Sequence, residues 1–163
     1  MQIDDDTQAL IDERNKSNAP ALESFTPQEL RALRAKMAET PVEFKIKISD
    51  VEDTLVKGTL GDIPIRRYFD YHTNSAKNKK SPLIIYFHGG GFVMGDLESH
   101  DLVCRHLCRE AKATIIAVDY KLAPEFKFPA AIIDTEDAIK EIINRSEEFN
   151  IDKNQIILCG DSA

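Results

Sequence analysis

Ile156-Ile157-Leu158-Cys159-Gly160-Asp161-Ser162-Ala163 is the stretch that decides how this chain is read. Its apolar start predicts a buried strand. Gly-Asp-Ser-Ala directly after a strand is the front of a nucleophile elbow, G-x-S-x-G, with the last glycine outside the sequence. The serine of such an elbow projects from a sharp strand-to-helix turn, which small neighbours such as Gly160 and Ala163 permit. The tetrapeptide alone is frequent in loops. A second motif upstream gives it weight: the apolar run Leu83-Ile84-Ile85-Tyr86-Phe87 leads straight into His88-Gly89-Gly90-Gly91-Phe92.

The two motifs answer one chemical need. Acyl transfer passes through a tetrahedral intermediate whose oxygen becomes negative, and each fixed backbone N–H aimed at it contributes roughly 3–4 kcal/mol to the rate. Aiming adjacent N–H groups at one point takes close approach and unusual dihedrals, which glycine tolerates. Gly89, Gly90 and Gly91 after a buried strand meet that need, and Ala163 would add the N–H of the residue after the nucleophile. A competing reading is a dinucleotide-binding unit, in which Gly89, Gly91 and Gly95 form the phosphate turn and Asp119 ends the next strand as the ribose acid. Against it, no helix is predicted to start on the last glycine, and Phe92-Val93-Met94 is bulky where a pyrophosphate would rest. A plain structural turn is the third reading.

The flanking sequence predicts the scaffold. From Pro82 the order is strand, helix (Ser99 to Ala111), strand (Thr114 to Val118), helix (Ala130 to Phe149), strand (Gln155 to Cys159). That order implies right-handed crossovers and a parallel sheet covered on both faces. Ile132, Ile139, Ile142 and Ile143 are the expected apolar face of the long helix. Upstream, Phe44 to Ile48 alternates as a half-buried strand and Ile65 to Tyr71 is a second strand after the turn residues Gly58 to Pro64, which together suggest a hairpin or meander. Near the N-terminus a short helix is expected around Gln8 to Arg14. A firmer one starts at Thr26 (N-cap), Pro27 and Glu29, a capping box with Phe25 and Leu30 as hydrophobic staple, and ends at Pro41. No repeat or low-complexity tract interrupts the chain.

Composition narrows the partners. Over 163 residues, 42% are hydrophobic and 30% charged, as in ordinary globular domains. A net charge of −7 argues against nucleic acid and anionic membrane surfaces. No secretory signal is read at the acidic start, and no apolar run approaches the ~20 residues of a spanning helix. Cys104, Cys108 and Cys159 are read as reduced thiols of a cytoplasmic protein. His100, Cys104 and Cys108 share a helical face, which makes a metal site conceivable; the favoured reading is thiols packed on the sheet and no metal. His72 and His106 are read as solvated, and Lys77, Lys79 and Lys80 as surface.

These residues resemble the hormone-sensitive-lipase family, the HGGG carboxylesterases of the α/β-hydrolase superfamily. The first matching block is His88-Gly89-Gly90-Gly91-Phe92 with Gly95-Asp96 and Ser99-His100-Asp101. The second is Asp119-Tyr120-Lys121-Leu122-Ala123-Pro124-Glu125 with Phe128-Pro129-Ala130-Ala131, where Lys121 replaces the usual arginine. The third is Gly160-Asp161-Ser162-Ala163. The resemblance implies an α/β-hydrolase fold, with residues 1–40 as a helical cap segment and 41–163 as the N-terminal half of the hydrolase domain. It implies Ser162 as nucleophile and the N–H groups of Gly90, Gly91 and Ala163 as the oxyanion hole, with Gly89 shaping the loop. His88, Asp119, Tyr120 and Glu125 become structural supports. The substrate is a small-molecule carboxylic ester, no cofactor is needed, and a homodimer of the full-length protein is an expectation.

In this family the triad runs in the order serine, acid, histidine, so acid and histidine are both expected beyond Ala163. A serine without its base is a weak nucleophile. The polypeptide alone is therefore expected to fold poorly, with a bare apolar strand edge, and to show negligible esterase activity. A non-catalytic binding protein on the same scaffold, like the plant hormone receptors of this family, is the alternative function. Cofactor titration would reveal the dinucleotide reading.

Overall fold

The computed structural model describes residues 3–17, 20–21, 24–38, 46–71 and 80–162. Two helices lead: α1 (Asp5–Lys16) and α2 (Pro27–Ala38). The first is longer than its sequence signal, because Asp4 caps it by accepting the Thr7 N–H at 2.9 Å. The second begins as the capping box requires. The Thr26 N–H donates to Glu29 at 2.7 Å, and the Glu29 N–H returns to the Thr26 hydroxyl at 3.2 Å.

Seven elements follow: β1 (Asp50–Val56), β2 (Ile63–Phe69), β3 (Ser81–Phe87), α3 (Asp101–Ala111), β4 (Thr114–Val118), α4 (Ala130–Asn144) and β5 (Ile151–Gly160). They form one mixed sheet in the order β1-β2-β4-β3-β5. β1 and β2 are an antiparallel hairpin, and β3 runs parallel to both β4 and β5. The path from β3 to β4 steps one way and the path from β4 to β5 steps back across β3. Crossovers of one hand therefore lay α3 and α4 on opposite faces.

The period of two along the central strands shows this directly. Leu83 and Ile85 of β3, with Ile116 and Val118 of β4, pack against Ala131, Ala138 and Ile142 of α4. Their alternates Ile84, Tyr86, Ile115 and Ala117 pack against Cys104 and Cys108 of α3. Both faces are covered, so the strands read as unbroken apolar runs.

Two expectations need correction. The first strand is not Phe44 to Ile48: Phe44 and Lys45 lie outside the described residues, and Ile46 to Ile48 precede β1 without joining the sheet. The strand that pairs is Asp50–Val56, with Asp53 opposite and ion-paired to Arg66 and Glu52 opposite and ion-paired to Arg67. Cross-strand ion pairs accompany this register, and hydrophobic alternation does not see them. In α4 the buried face is Ala131, Asp134, Ala138 and Ile142, while Ile132 is exposed. Small residues let the helix sit close to the sheet, and Ile132 turns outward into the wall of a surface cavity.

At the sheet's edge, Ile157 and Leu158 of β5 are 60% and 57% exposed. Among the described residues no helix is long and apolar enough to cross a membrane.

Ile85 lies at the centre of the α4 face with no exposed surface. Ile85→Ala should destabilise the fold by about 2–5 kcal/mol, and Leu55→Ala, at an exposed position, by far less. Urea unfolding followed by circular dichroism checks the difference.

Candidate functional site

β3 and β5 are neighbours in register, with Phe87 opposite Gly160, so the residues after them leave the sheet side by side. Here His88-Gly89-Gly90-Gly91 meets Asp161-Ser162. A Cβ on Gly160 would sit 2.8 Å from the Phe87 carbonyl oxygen, so the approach of the two strand ends requires glycine.

Two bonds join the motifs across 72 residues of sequence. The Gly89 N–H donates to the Asp161 carboxylate at 2.7 Å. The Gly90 N–H donates to the Ser162 carbonyl at 3.0 Å. Asp161 also accepts from the Tyr86 hydroxyl at 2.9 Å and from His100 Nε2 at 3.3 Å. Burial pushes the Asp161 carboxyl up. The bonds from Tyr86 and Gly89 and the neighbouring His100 outweigh it and hold the group below its usual range. Tyr86, His100 and Asp161 are the site residues that sequence reasoning missed. The available signal was the position of Asp161 as the x of G-x-S.

The glycine turn is tight. Gly90, Gly91 and Phe92 have φ of 134°, 60° and 59°. The Val93 and Met94 N–H groups both return to the Gly90 carbonyl, at 3.1 and 3.0 Å. A Cβ on Gly90 would run into the Met94 carbonyl, so this position excludes every other residue. The Gly91 Cα faces open space. Ala163 lies outside the described residues.

The expected supports sit around this turn. His88 is buried, and its Nδ1–H donates to the Gly89 carbonyl at 3.0 Å. Burial holds its pKa below the usual value, which keeps the ring neutral. Tyr120 stacks on it at 4.4 Å and donates its hydroxyl to the His88 carbonyl at 2.5 Å. Asp119 Oδ1 lies 3.9 Å from His88 Nε2. Burial, with help from Asp96, pushes the Asp119 carboxyl up to about 6. Glu125 stands farther out and grips Arg31 of α2 at 2.9 Å.

Cys104 and Cys108 face the sheet, fully buried, and burial pushes both thiols up to about 12. They serve as small apolar packing groups, while His100 turns to Asp161. The dinucleotide reading loses its helix: α3 starts at Asp101, well past Gly91, and the residue opening its first turn is acidic. Beside the glycine turn, Phe92, Ala123, Phe126, Phe128, Ala131 and Ile132 line an apolar cavity of about 160 Å³.

A raised carboxyl destabilises the fold as it ionises. For Asp119 the folded state binds its proton more tightly than the unfolded state, so its burial costs stability as pH rises from 3.8 to about 6, and the full cost applies above that. Asp119→Asn should remove this slope. The melting temperature of the variant relative to the parent should climb across that window and level off above it, as read by thermal scans at stepped pH.

The comparisons agree with this geometry. A family model described as an alpha/beta hydrolase fold matches residues 84–163. Esterase LipI of Mycobacterium tuberculosis is 36% identical over 134 residues, which cover 82% of this chain and 41% of that protein. An arylesterase of Saccharolobus solfataricus is 31% identical over 165 residues, covering 100% of this chain and 51% of that protein. A solved ester hydrolase from the metagenome of Lake Arreo superposes with a TM-score of 0.84 at 32% identity, covering 96% of this chain and 49% of the other. The chain spans about half the length of the curated relatives it matches. With a strand-borne glycine turn bonded to a strand-borne Gly-Asp-Ser elbow and with these relatives, the chain belongs to the α/β-hydrolase superfamily.

Proposed function

We propose that this chain supplies the nucleophile and the oxyanion donors of a serine carboxylesterase acting on short- to medium-chain esters. The observation that carries this reading is the direct bonding of the elbow to the glycine turn, Gly89 to Asp161 at 2.7 Å and Gly90 to Ser162 at 3.0 Å. It supports a reading in which Ser162 works beside the N–H groups that a tetrahedral intermediate needs.

In the proposed reaction the Ser162 Oγ bonds to the ester carbonyl carbon and its proton passes to a base. The carbonyl oxygen takes up the negative charge at the N–H groups of Gly90, Gly91 and Ala163. Collapse breaks the bond to the alcohol oxygen, which leaves with a proton, and water then cleaves the acyl-serine by the same route. The two nearby histidines are committed elsewhere: His88 donates to the Gly89 carbonyl, and His100 bonds Asp161 with Ser99 on its other nitrogen. We therefore assign base and acid to the part of the relatives' length that this chain does not span. The 163-residue chain by itself should turn esters over negligibly. The chemistry calls for no metal or cofactor.

The apolar cavity beside Phe92, about 160 Å³, suits an unbranched or aromatic hydrocarbon group; an engineered cavity of about 150 Å³ takes up benzene. Residues 1–40 are assigned the role of a cap and 41–163 that of the N-terminal half of the catalytic domain. The free thiols Cys104, Cys108 and Cys159 suit a reducing compartment, so we place the protein in the cytoplasm.

Ser162→Ala in the full-length enzyme tests the reading. Turnover of p-nitrophenyl butyrate should fall by a factor on the order of 10⁶. A fluorophosphonate should add to the parent at Ser162 and leave the variant unlabelled, as seen by peptide mass. A variant that keeps its turnover would refute the assignment.

A further inference from the structure

The guanidinium of Arg31, on α2, gathers two loops and a carboxylate. Its Nε donates to the Val93 carbonyl at 2.7 Å. One terminal nitrogen donates to the Ala123 carbonyl at 2.7 Å and to Glu125 at 2.9 Å, and the other donates to Glu125 at 2.9 Å. Gln28, one turn earlier on the same helix, reaches Glu125 at 3.3 Å.

The ion pair is not what gives this arrangement its strength. Arg31 and Glu125 are 30% and 41% exposed, and such pairs contribute little. The part-buried bonds to main-chain carbonyls matter more, because of where those carbonyls lie. Val93 closes the turn Gly90-Gly91-Phe92, three successive residues at positive φ. For phenylalanine that conformation is unfavourable and persists only where neighbours over-determine it. Two bonds do so. The Phe92 carbonyl accepts the Ala123 N–H at 2.8 Å, and the Val93 carbonyl accepts Arg31. Arg31 also holds the Ala123 carbonyl, so both ends of the brace pass through one rigid planar group. An ammonium is a single point charge and cannot span this set.

We propose that Arg31 is a positioning residue. It latches the N-terminal helix α2 to the turn that carries the oxyanion donors, so that cap and turn are held as one unit and the turn keeps its positive-φ form. The proposal rests on the reading of that turn as the oxyanion hole. A loosened turn weakens interactions made only with the transition state, so the effect should fall on kcat and leave KM nearly unchanged.

The test uses the full-length enzyme with Arg31→Met, Arg31→Lys and Glu125→Gln, assayed on p-nitrophenyl butyrate and by amide hydrogen exchange. Arg31→Met should lower kcat about tenfold, less than the loss of an entire donor, with KM within about twofold. Arg31→Lys should not restore it. Glu125→Gln, which leaves both carbonyl bonds in place, should lose less than Arg31→Met. Exchange at residues 90–95 should quicken in Arg31→Met while residues 114–118 keep the parent's protection. An unchanged kcat with unchanged exchange at 90–95 overturns the latch, and so does quickening spread evenly over the sheet. If the parent hydrolyses no ester, the esterase reading fails by itself, and exchange at 90–95 still decides whether Arg31 holds the turn.

Discussion

One carboxylate fixes the relation between the two halves of this site. Asp161 leaves the end of β5 and accepts from the Gly89 N–H, the Tyr86 hydroxyl and His100. Its donors come from β3, from the turn after β3 and from the residue before α3. Remove it and the glycine turn keeps its own internal bonds, but of its two bonds to the Asp161-Ser162 elbow only that from the Gly90 N–H to the Ser162 carbonyl is left. An ionised acceptor makes bonds roughly twice as strong as neutral ones, so a single acid can hold a loop that main-chain bonds alone would hold loosely. The sheet makes this possible at low entropic cost. Phe87 and Gly160 are already paired, so the side chain has to bridge only one residue's width.

Around that clamp the polar supports are graded by burial. His88, between the turn and Tyr120, is kept neutral by burial, and a neutral ring with Nδ1–H on the Gly89 carbonyl stiffens the turn without placing a buried charge beside it. Asp119 is partly open and carries its proton more tightly than a free aspartate. Lys121 pays for a fully buried acid: its ammonium and its own N–H both bind Asp134 of α4, at 3.1 and 3.0 Å. That pair ties the loop after β4 to the helix that covers the sheet.

Local signals in the sequence were enough for much of this. Unbroken apolar runs located β3 and β4, because both faces of those strands are covered, and the run Ile156 to Cys159 located β5 although two of its apolar residues are exposed. The Thr26–Glu29 box located the start of α2 to the residue, because a cap is a contact over three positions. The glycine run after a strand located the turn, because positive φ restricts residue choice. Long-range polar pairing stayed hidden. Arg31 and Glu125 are 94 positions apart, and nothing local marks either as a partner. The position of β1 was missed for the same reason, since Asp53 and Glu52 find Arg66 and Arg67 only once the hairpin closes. The buried face of α4 was read only in part: Ile142 is buried and Ile139 packs on the core, but close packing puts Ala131 and Ala138 against the sheet and leaves Ile132 exposed.

The Gly90 N–H shows how such a turn can favour a transition state over a resting ester. Here it donates to the Ser162 carbonyl at 3.0 Å, so it is not idle. In the proposed reaction it must leave that neutral acceptor to serve the oxyanion. An ester carbonyl offers no better acceptor than the one given up, so the exchange gains little when substrate binds. A full negative charge is a markedly stronger acceptor, and only then does the exchange become favourable. A donor with a neutral resting partner therefore spends its binding energy at the point where charge develops, which is the condition for raising kcat and not merely lowering KM.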